Sequence, residues 1–196
     1  MTVFQNVRKG LIPARLTVAD VYALQYAGVL HDADGFELID GEIVPMAAAK
    51  SSDHERMKSS LARALARALP DGLGLFVESS IGFDATTLLE PDLAVWPQGV
   101  GSEDVRGSDL LLVIEVAVSS IGFDLRVKGP RYAASGVRDY WVVDAVRKTI
   151  RVHRAPVDGA FTDVEEFEAH DTIWPLLLPD IGISLERIDG PPSKRY

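Results

Sequence analysis

The sequence predicts a mixed α/β fold, a central mixed sheet flanked by helices. Three observations point to it. Helical and strand patterns alternate along the chain in the order helix, hairpin, helix, three strands, helix, strands. The run LLLVIEVAV, Leu110 to Val118, is almost wholly apolar, as a strand buried on both faces should be. In SSDHERMKSSLARALARALPDG the apolar residues instead recur at helical spacing.

Each element has its own signal. Thr17 is placed as a helix N-cap with Asp20 three positions on, and Val18, Val21, Tyr22 and Leu24 follow at near-helical spacing toward Gly28. GFELIDGEIVPM alternates around Asp40-Gly41, a hairpin signal. The second helix opens on cap residues and closes at Pro70 and Gly72, with Met57, Leu61, Ala64, Leu65 and Ala68 as its apolar stripe. Gly74 to Phe83 reads as one strand and Leu88 to Trp96 as the next, with a glycine-rich loop before Leu110. A third helix covers Arg131–Ser135 and stops at Gly136. DYWVVDA and Thr149 to Arg154 are strands paired across the Asp144–Lys148 turn. Short strands follow, and TIWPLLLPDIGISL is expected to pack along one sheet edge. The first dozen residues and GPPSKRY from Gly190 are linker-like. The expectation is a single domain over residues 1–196, with a core of about 17–154 and a C-terminal extension over 155–196.

Composition narrows the class. Of the 196 residues, 47% are hydrophobic and 25% charged, which fits an ordinary globular protein. No run of about 18 apolar residues suggests a membrane span, and MTVFQNVRKGLIP lacks the apolar centre of a secretory signal. With no cysteine, disulfides and thiolate metal sites are excluded. A cytoplasmic protein is the simplest expectation. The net charge of −9 argues against a general nucleic-acid binder, but not against an enzyme acting on nucleic acid.

Two carboxylates stand where carboxylates are costly. Asp92 begins the strand in EPDLAVW, and Glu115 lies inside LLLVIEVAV. If these strands are antiparallel neighbours, the two acids fall at about the same level. Buried carboxylates need a partner or a cation, and a set of hard oxygen ligands without cysteine points to Mg²⁺ or Mn²⁺. The alternative is architectural: Asp92 caps a turn and Glu115 pairs with one lysine or arginine. Asp124, Lys128 and Tyr132, spaced four apart, share a face if helical. Because Pro130 belongs in a first turn, the regular helix is expected to begin near Lys128, with that lysine turned back toward Glu115.

The ordered series FELIDGEIVPM, H, PDLAV, VIEVAVSS, FD, K-P-YA, GV-DYWVVD resembles the Uma-two-type putative restriction endonucleases, within the wider PD-(D/E)XK nuclease superfamily. The resemblance covers roughly Thr17 to Arg154. It implies a restriction-endonuclease-like fold, a divalent metal (Mg²⁺ or Mn²⁺) and phosphodiester hydrolysis. Asp92 matches the aspartate of the PD motif and Glu115 the acid of the (D/E)XK strand, both as metal ligands and catalytic residues. The lysine expected two residues after the acid is absent, since Val116 and Ala117 follow it; Lys128 matches a lysine further on that takes its place. His54 and the acids Glu37 and Glu42 match supporting positions. Five residues apart, Glu37 and Glu42 face opposite sides of a regular strand pair, and Glu37 is favoured as the inward one. Asp124 and Tyr132 complete the supporting set. Arg56, Arg63, Arg67, Arg126 and Arg131 are candidate phosphate contacts, although a stripe of arginines on a half-buried helix also suits plain solvent exposure.

The functional expectation is a metal-dependent endonuclease acting on nucleic acid, DNA before RNA, with a homodimer suited to cutting two strands. The alternative is a nuclease-like module that binds or regulates without cutting.

Overall fold

The computed structural model describes residues 15–31, 35–46 and 51–189. The two linker-like ends of the sequence lie outside these residues. The chain forms two compact units, one from residues 1–49 with 80–90, the other from 50–79 with 91–196.

The first unit holds helix α1 (Val18–Tyr26) and four strands, β1 (Phe36–Ile39), β2 (Glu42–Pro45), β4 (Ile81–Asp84) and β5 (Thr87–Leu89), in the sheet order β2-β1-β5-β4. Thr17 and Asp20 form the expected capping box: the Thr17 hydroxyl accepts from the Asp20 N–H, and Asp20 accepts back from the Thr17 N–H at 2.8 Å. The β1–β2 hairpin turns at Asp40-Gly41, where both residues have positive φ (51° and 83°), as a mirror-image two-residue turn requires. Val21, Leu38 and Leu88 form this unit's small core.

The second unit carries a six-stranded sheet in the order β10-β9-β8-β7-β6-β3. Its strands are β3 (Leu73–Val77), β6 (Leu93–Pro97), β7 (Leu112–Ala117), β8 (Asp139–Asp144), β9 (Thr149–Val157) and β10 (Ala160–Phe167). Only β7 and β8 are parallel, so the sheet is mixed. A parallel pair needs a crossover, and here it is helical. Helix α2 (Ser52–Ala68) sends Met57, Leu61 and Leu65 into the core with Leu93, Leu112, Ile114 and Trp141. Each such side chain contributes about 1.5–3 kcal/mol through burial.

Three expectations change in detail. The two strands read as Gly74–Phe83 and Leu88–Trp96 are each broken, and their halves belong to different sheets. Glu78 takes a left-handed conformation (φ 50°) that ends β3. Pro91, which has no N–H for a ladder, separates β5 from β6. The helical crossover starts before Lys128: α3 (Ile121–Phe123) runs through a π turn (Asp124–Lys128) into α4 (Gly129–Ala134). In a regular helix residue 130 would donate to the carbonyl of Arg126, and a proline ring would clash there. The wider turn resolves this, with the Gly129 N–H donating to the Asp124 carbonyl instead. Finally, the apolar segment near the C-terminus enters the main core. Ile173, Leu178, Ile181, Ile183 and Leu185 pack with Met57, Trp141 and Ile150, and helix α5 (Leu185–Asp189) follows. No helix among the described residues is long and apolar enough to cross a membrane.

Candidate active site

The site is built where β6, β7 and the crossover helix meet. Strands β6 and β7 are antiparallel, with Leu93 opposite Ile114 and Val95 opposite Leu112. One step further in that register, Asp92 stands opposite Glu115. Both are buried, at 6% and 3% exposure. The Asp92 carboxylate accepts the Val116 N–H at 2.8 Å. The common level of the two acids follows from extending the β6–β7 register by one residue beyond Leu93 and Ile114.

Glu115 is held from the crossover. Its Oε1 accepts from the Lys128 ammonium at 3.0 Å and from the Tyr132 hydroxyl at 2.7 Å. Lys128 is itself 6% exposed and Tyr132 fully buried. The π turn brings the lysine to this oxygen, and the tyrosine one turn later reaches the same atom. Asp124 is buried too, but its carboxylate accepts from the Ser120 hydroxyl at 2.8 Å, while its carbonyl accepts from the Tyr140 hydroxyl at 3.0 Å.

His54, in the first turn of α2, reaches the site from the other side. Its Nε2 lies 3.2 Å from the Asp92 carboxylate and its Nδ1 lies 3.2 Å from Glu55 Oε1. A ring that faces a carboxylate with both nitrogens donates to both only when it carries two protons. The Ser51 side chain accepts the His54 N–H at 3.2 Å and so fixes the start of the helix.

The sequence reading missed two residues here. Lys58 donates to Glu55 at 2.9 Å and to Glu78 at 2.6 Å, with its side chain only 8% exposed. Burial pulls the Lys58 pKa down, but its hydrogen bonds to the Glu78 and Glu55 carboxylates outweigh it and hold the pKa above the ordinary lysine value. The Lys58 hydrogen bond in turn holds Glu55 below the usual carboxylate range. Glu78 sits beside Asp92, with its N–H donating to the Asp92 carbonyl at 3.2 Å. Lys58 had a legible signal: it falls on the apolar stripe with Met57, Leu61 and Leu65. Glu78 had none, because its place depends on strand register.

The remaining candidates are spread more widely. Glu37 belongs to the first unit, where it is 2% exposed and its Oε1 accepts the Glu90 N–H at 3.0 Å; Glu42 is exposed. Arg56 is exposed and paired with Asp53 at 3.3 Å. Arg63, Arg67 and Arg126 are exposed. Arg131 is half-buried and donates to the Val127 carbonyl at 2.7 Å.

The donor set consists of hard oxygen ligands. Among the described residues no group of three or more His, Cys, Asp or Glu side chains is arranged to hold an ion. A structural zinc site, which needs a closed set of four ligands, does not fit. Two buried carboxylates on neighbouring strands do fit Mg²⁺, which takes one or two carboxylates and fills its other positions with water and phosphate oxygens.

The chain is similar to known proteins in sequence pattern and in fold. A crystal structure of a putative nuclease belonging to DUF820 from Anabaena variabilis ATCC 29413 is similar to this chain, with a TM-score of 0.67 and 15% identity. The match covers 84% of this chain and 94% of that one, and it shows a shared fold. The search of curated proteins gives no match. The family model described as Uma2, putative restriction endonuclease, matches residues 19–186. With its sheet, its acids and most of its length inside that match, the chain belongs to the Uma2 family.

Proposed function

We propose that this protein is a divalent-metal-dependent endonuclease that hydrolyses phosphodiester bonds, with DNA as substrate. One observation carries the reading. Asp92, just before β6, and Glu115, on β7, come to one level when the β6–β7 register is extended by one residue, and a buried lysine is fixed on the second acid. Two carboxylates kept out of water at one level of a sheet are costly without a cation.

Asp92 and Glu115 would hold Mg²⁺ or Mn²⁺. The ion would supply charge neutralisation at the scissile phosphate and a lowered pKa for a bound water. The protein's own part is positional. Lys128 would donate to the attacking water or to a phosphoryl oxygen, since its ammonium is tethered at Glu115 by a 3.0 Å hydrogen bond. Tyr132 fixes the rotamer of Glu115 from the same helical crossover. His54, held by Glu55, fixes Asp92. A twofold homodimer in the cytoplasm would present one such site to each strand of a duplex.

A second reading has one observation in its favour. Each acid is already met by protein groups: Asp92 by the Val116 N–H and His54, Glu115 by Lys128 and Tyr132. That arrangement also suits a nuclease-like module that binds or regulates without cutting. Titration of Mn²⁺ by calorimetry separates the two readings. An endonuclease shows saturable binding that Asp92→Ala abolishes, and it cuts duplex DNA with Mg²⁺ or Mn²⁺ until Asp92 or Glu115 is replaced by alanine. Cutting that survives both substitutions, or no cutting across a broad substrate panel, ends the endonuclease reading.

A further inference from the structure

Helix α2 has a second charged feature, away from the acids. Toward its C-terminal end Arg63 and Arg67 line a cavity of about 410 Å³ with Arg187 of α5, and Ser60, Ala64 and Ile188 complete the wall. No carboxylate lines it. The 63–67 pair places two like charges one helical turn apart, which costs a few tenths of a kcal/mol without a counter-charge.

The protein has 29 acidic residues against 20 basic ones, and several of its other arginines are paired with them. Arg56 pairs with Asp53, Arg147 and Arg151 with Glu166, and Arg154 with buried Asp139. Arg63, Arg67 and Arg187 form no ion pair among the described residues. The small side chains of Ser60 and Ala64 leave room beside the guanidinium groups. A planar fork of N–H donors matches the oxygens of a phosphate, and three such forks from two elements line this cavity.

We infer that this three-arginine cavity binds phosphate groups of the nucleic-acid backbone outside the cleavage site, an assignment that rests on the endonuclease reading. Arg63 and Arg67 lie nine and thirteen residues beyond His54, about 14 and 20 Å along the helix axis. At about 3.4 Å per base pair that is roughly four to six base pairs from the scissile bond. Arg63 is two and a half turns from His54, so it sits on the opposite flank of α2. The cavity thus takes backbone that has left the catalytic acids, and Arg187 makes α5 part of the grip.

The test is binding of a short fluorescein-labelled DNA duplex, read by anisotropy with EDTA present so that no cutting occurs. Salt is varied over about 50 to 200 mM. The variant Arg63→Ala/Arg67→Ala/Arg187→Ala is expected to bind at least about tenfold more weakly and to lower the slope of log K against log salt by about 2 to 3. The triple Arg→Lys variant is expected to keep most of that slope. All three arginines are exposed, so both variants should keep the wild-type circular dichroism. Wild-type binding and slope in the triple-alanine variant would overturn the inference, while Asp92-dependent cutting tests the endonuclease reading separately. Calorimetry with pyrophosphate provides the other arm. If the triple-alanine variant loses pyrophosphate binding but keeps duplex binding, the cavity serves a free phosphate ligand and the backbone assignment is overturned.

Discussion

Lys128 Nζ lies 3.0 Å from Glu115 Oε1, and both side chains are almost out of contact with solvent, at 8% and 4% exposure. A pair buried this deeply contributes little as a pair but is expensive to break, because the survivor keeps a desolvated charge. Lys128→Met, which retains the stem, should therefore cost about 3–5 kcal/mol in urea unfolding. Glu115→Gln should cost less, because the amide oxygen still accepts from Lys128 and Tyr132. A folded Glu115→Gln protein that cuts DNA at the wild-type rate would refute a catalytic role for the acid.

Tyr132→Phe isolates the second donor to the same oxygen. The ring is fully buried and tilted against Tyr140, with centroids 4.8 Å apart, so phenylalanine keeps the packing. Loss of a hydrogen bond to a charged group should cost about 1.5–3 kcal/mol. Thermal unfolding checks this, and an unchanged Tm would show that the 2.7 Å bond contributes nothing.

Asp139 is the structural counterpart of Glu115. It is fully buried and accepts from Trp141 Nε1 at 2.8 Å, Arg154 Nε at 2.9 Å and the Leu176 N–H at 2.6 Å. It thereby ties the segment around Leu176 to β8 and β9. Asp139→Ala strands the Arg154 charge and should cost about 3–5 kcal/mol. Hydrogen exchange should accelerate first at the Leu176 amide, which loses its acceptor.

Gly107 sets the seat of the crossover helix. A Cβ there would lie 2.3 Å from the Ser135 carbonyl oxygen, a backbone atom that cannot swing aside. Gly107→Ala should cost about 1–3 kcal/mol through overpacking. Because Ser135 closes the helix that carries Tyr132, nuclease activity should fall along with Tm; an unchanged Tm would show that the turn yields easily.

His153 makes stability depend on pH. Burial, with the nearby Arg151 charge, lowers its pKa from 6.5 to about 4, and its ring packs on Tyr140 and Phe161. Between these values the unfolded chain takes up a proton that the native state refuses, so stability falls as pH drops from about 6.5 toward 4. Above 6.5 both states are neutral and this contribution is constant. His153→Phe should lose less Tm between neutral pH and pH 5 than the wild type does. Equal losses in the two proteins would place the acid sensitivity elsewhere.

The sequence by itself determined what local chemistry can specify. Thr17 with Asp20, Asp40-Gly41, the stripe from Met57 to Leu65 and the apolar run around Glu115 each carry their own signal, and each forms the expected element. Glu115 stood out as a charge inside an apolar run and Asp92 as an acid opening the preceding strand, whereas Lys128 was visible through its four-residue spacing with Asp124 and Tyr132 and the helix start at Pro130. Tertiary structure decided everything that depends on pairing. Glu78 ends β3 in a left-handed conformation and Pro91 separates β5 from β6, so two apparent strands became four in two sheets, which no alternation pattern encodes. The register of β6 on β7 set Asp92 opposite Glu115, and the π turn forced by Pro130 aimed Lys128 at it. Lys58 and Glu78 met only because a helix start and a strand end were brought side by side. Local signals report which conformations a residue tolerates, whereas a site depends on contacts between segments far apart in the chain, and only packing fixes those.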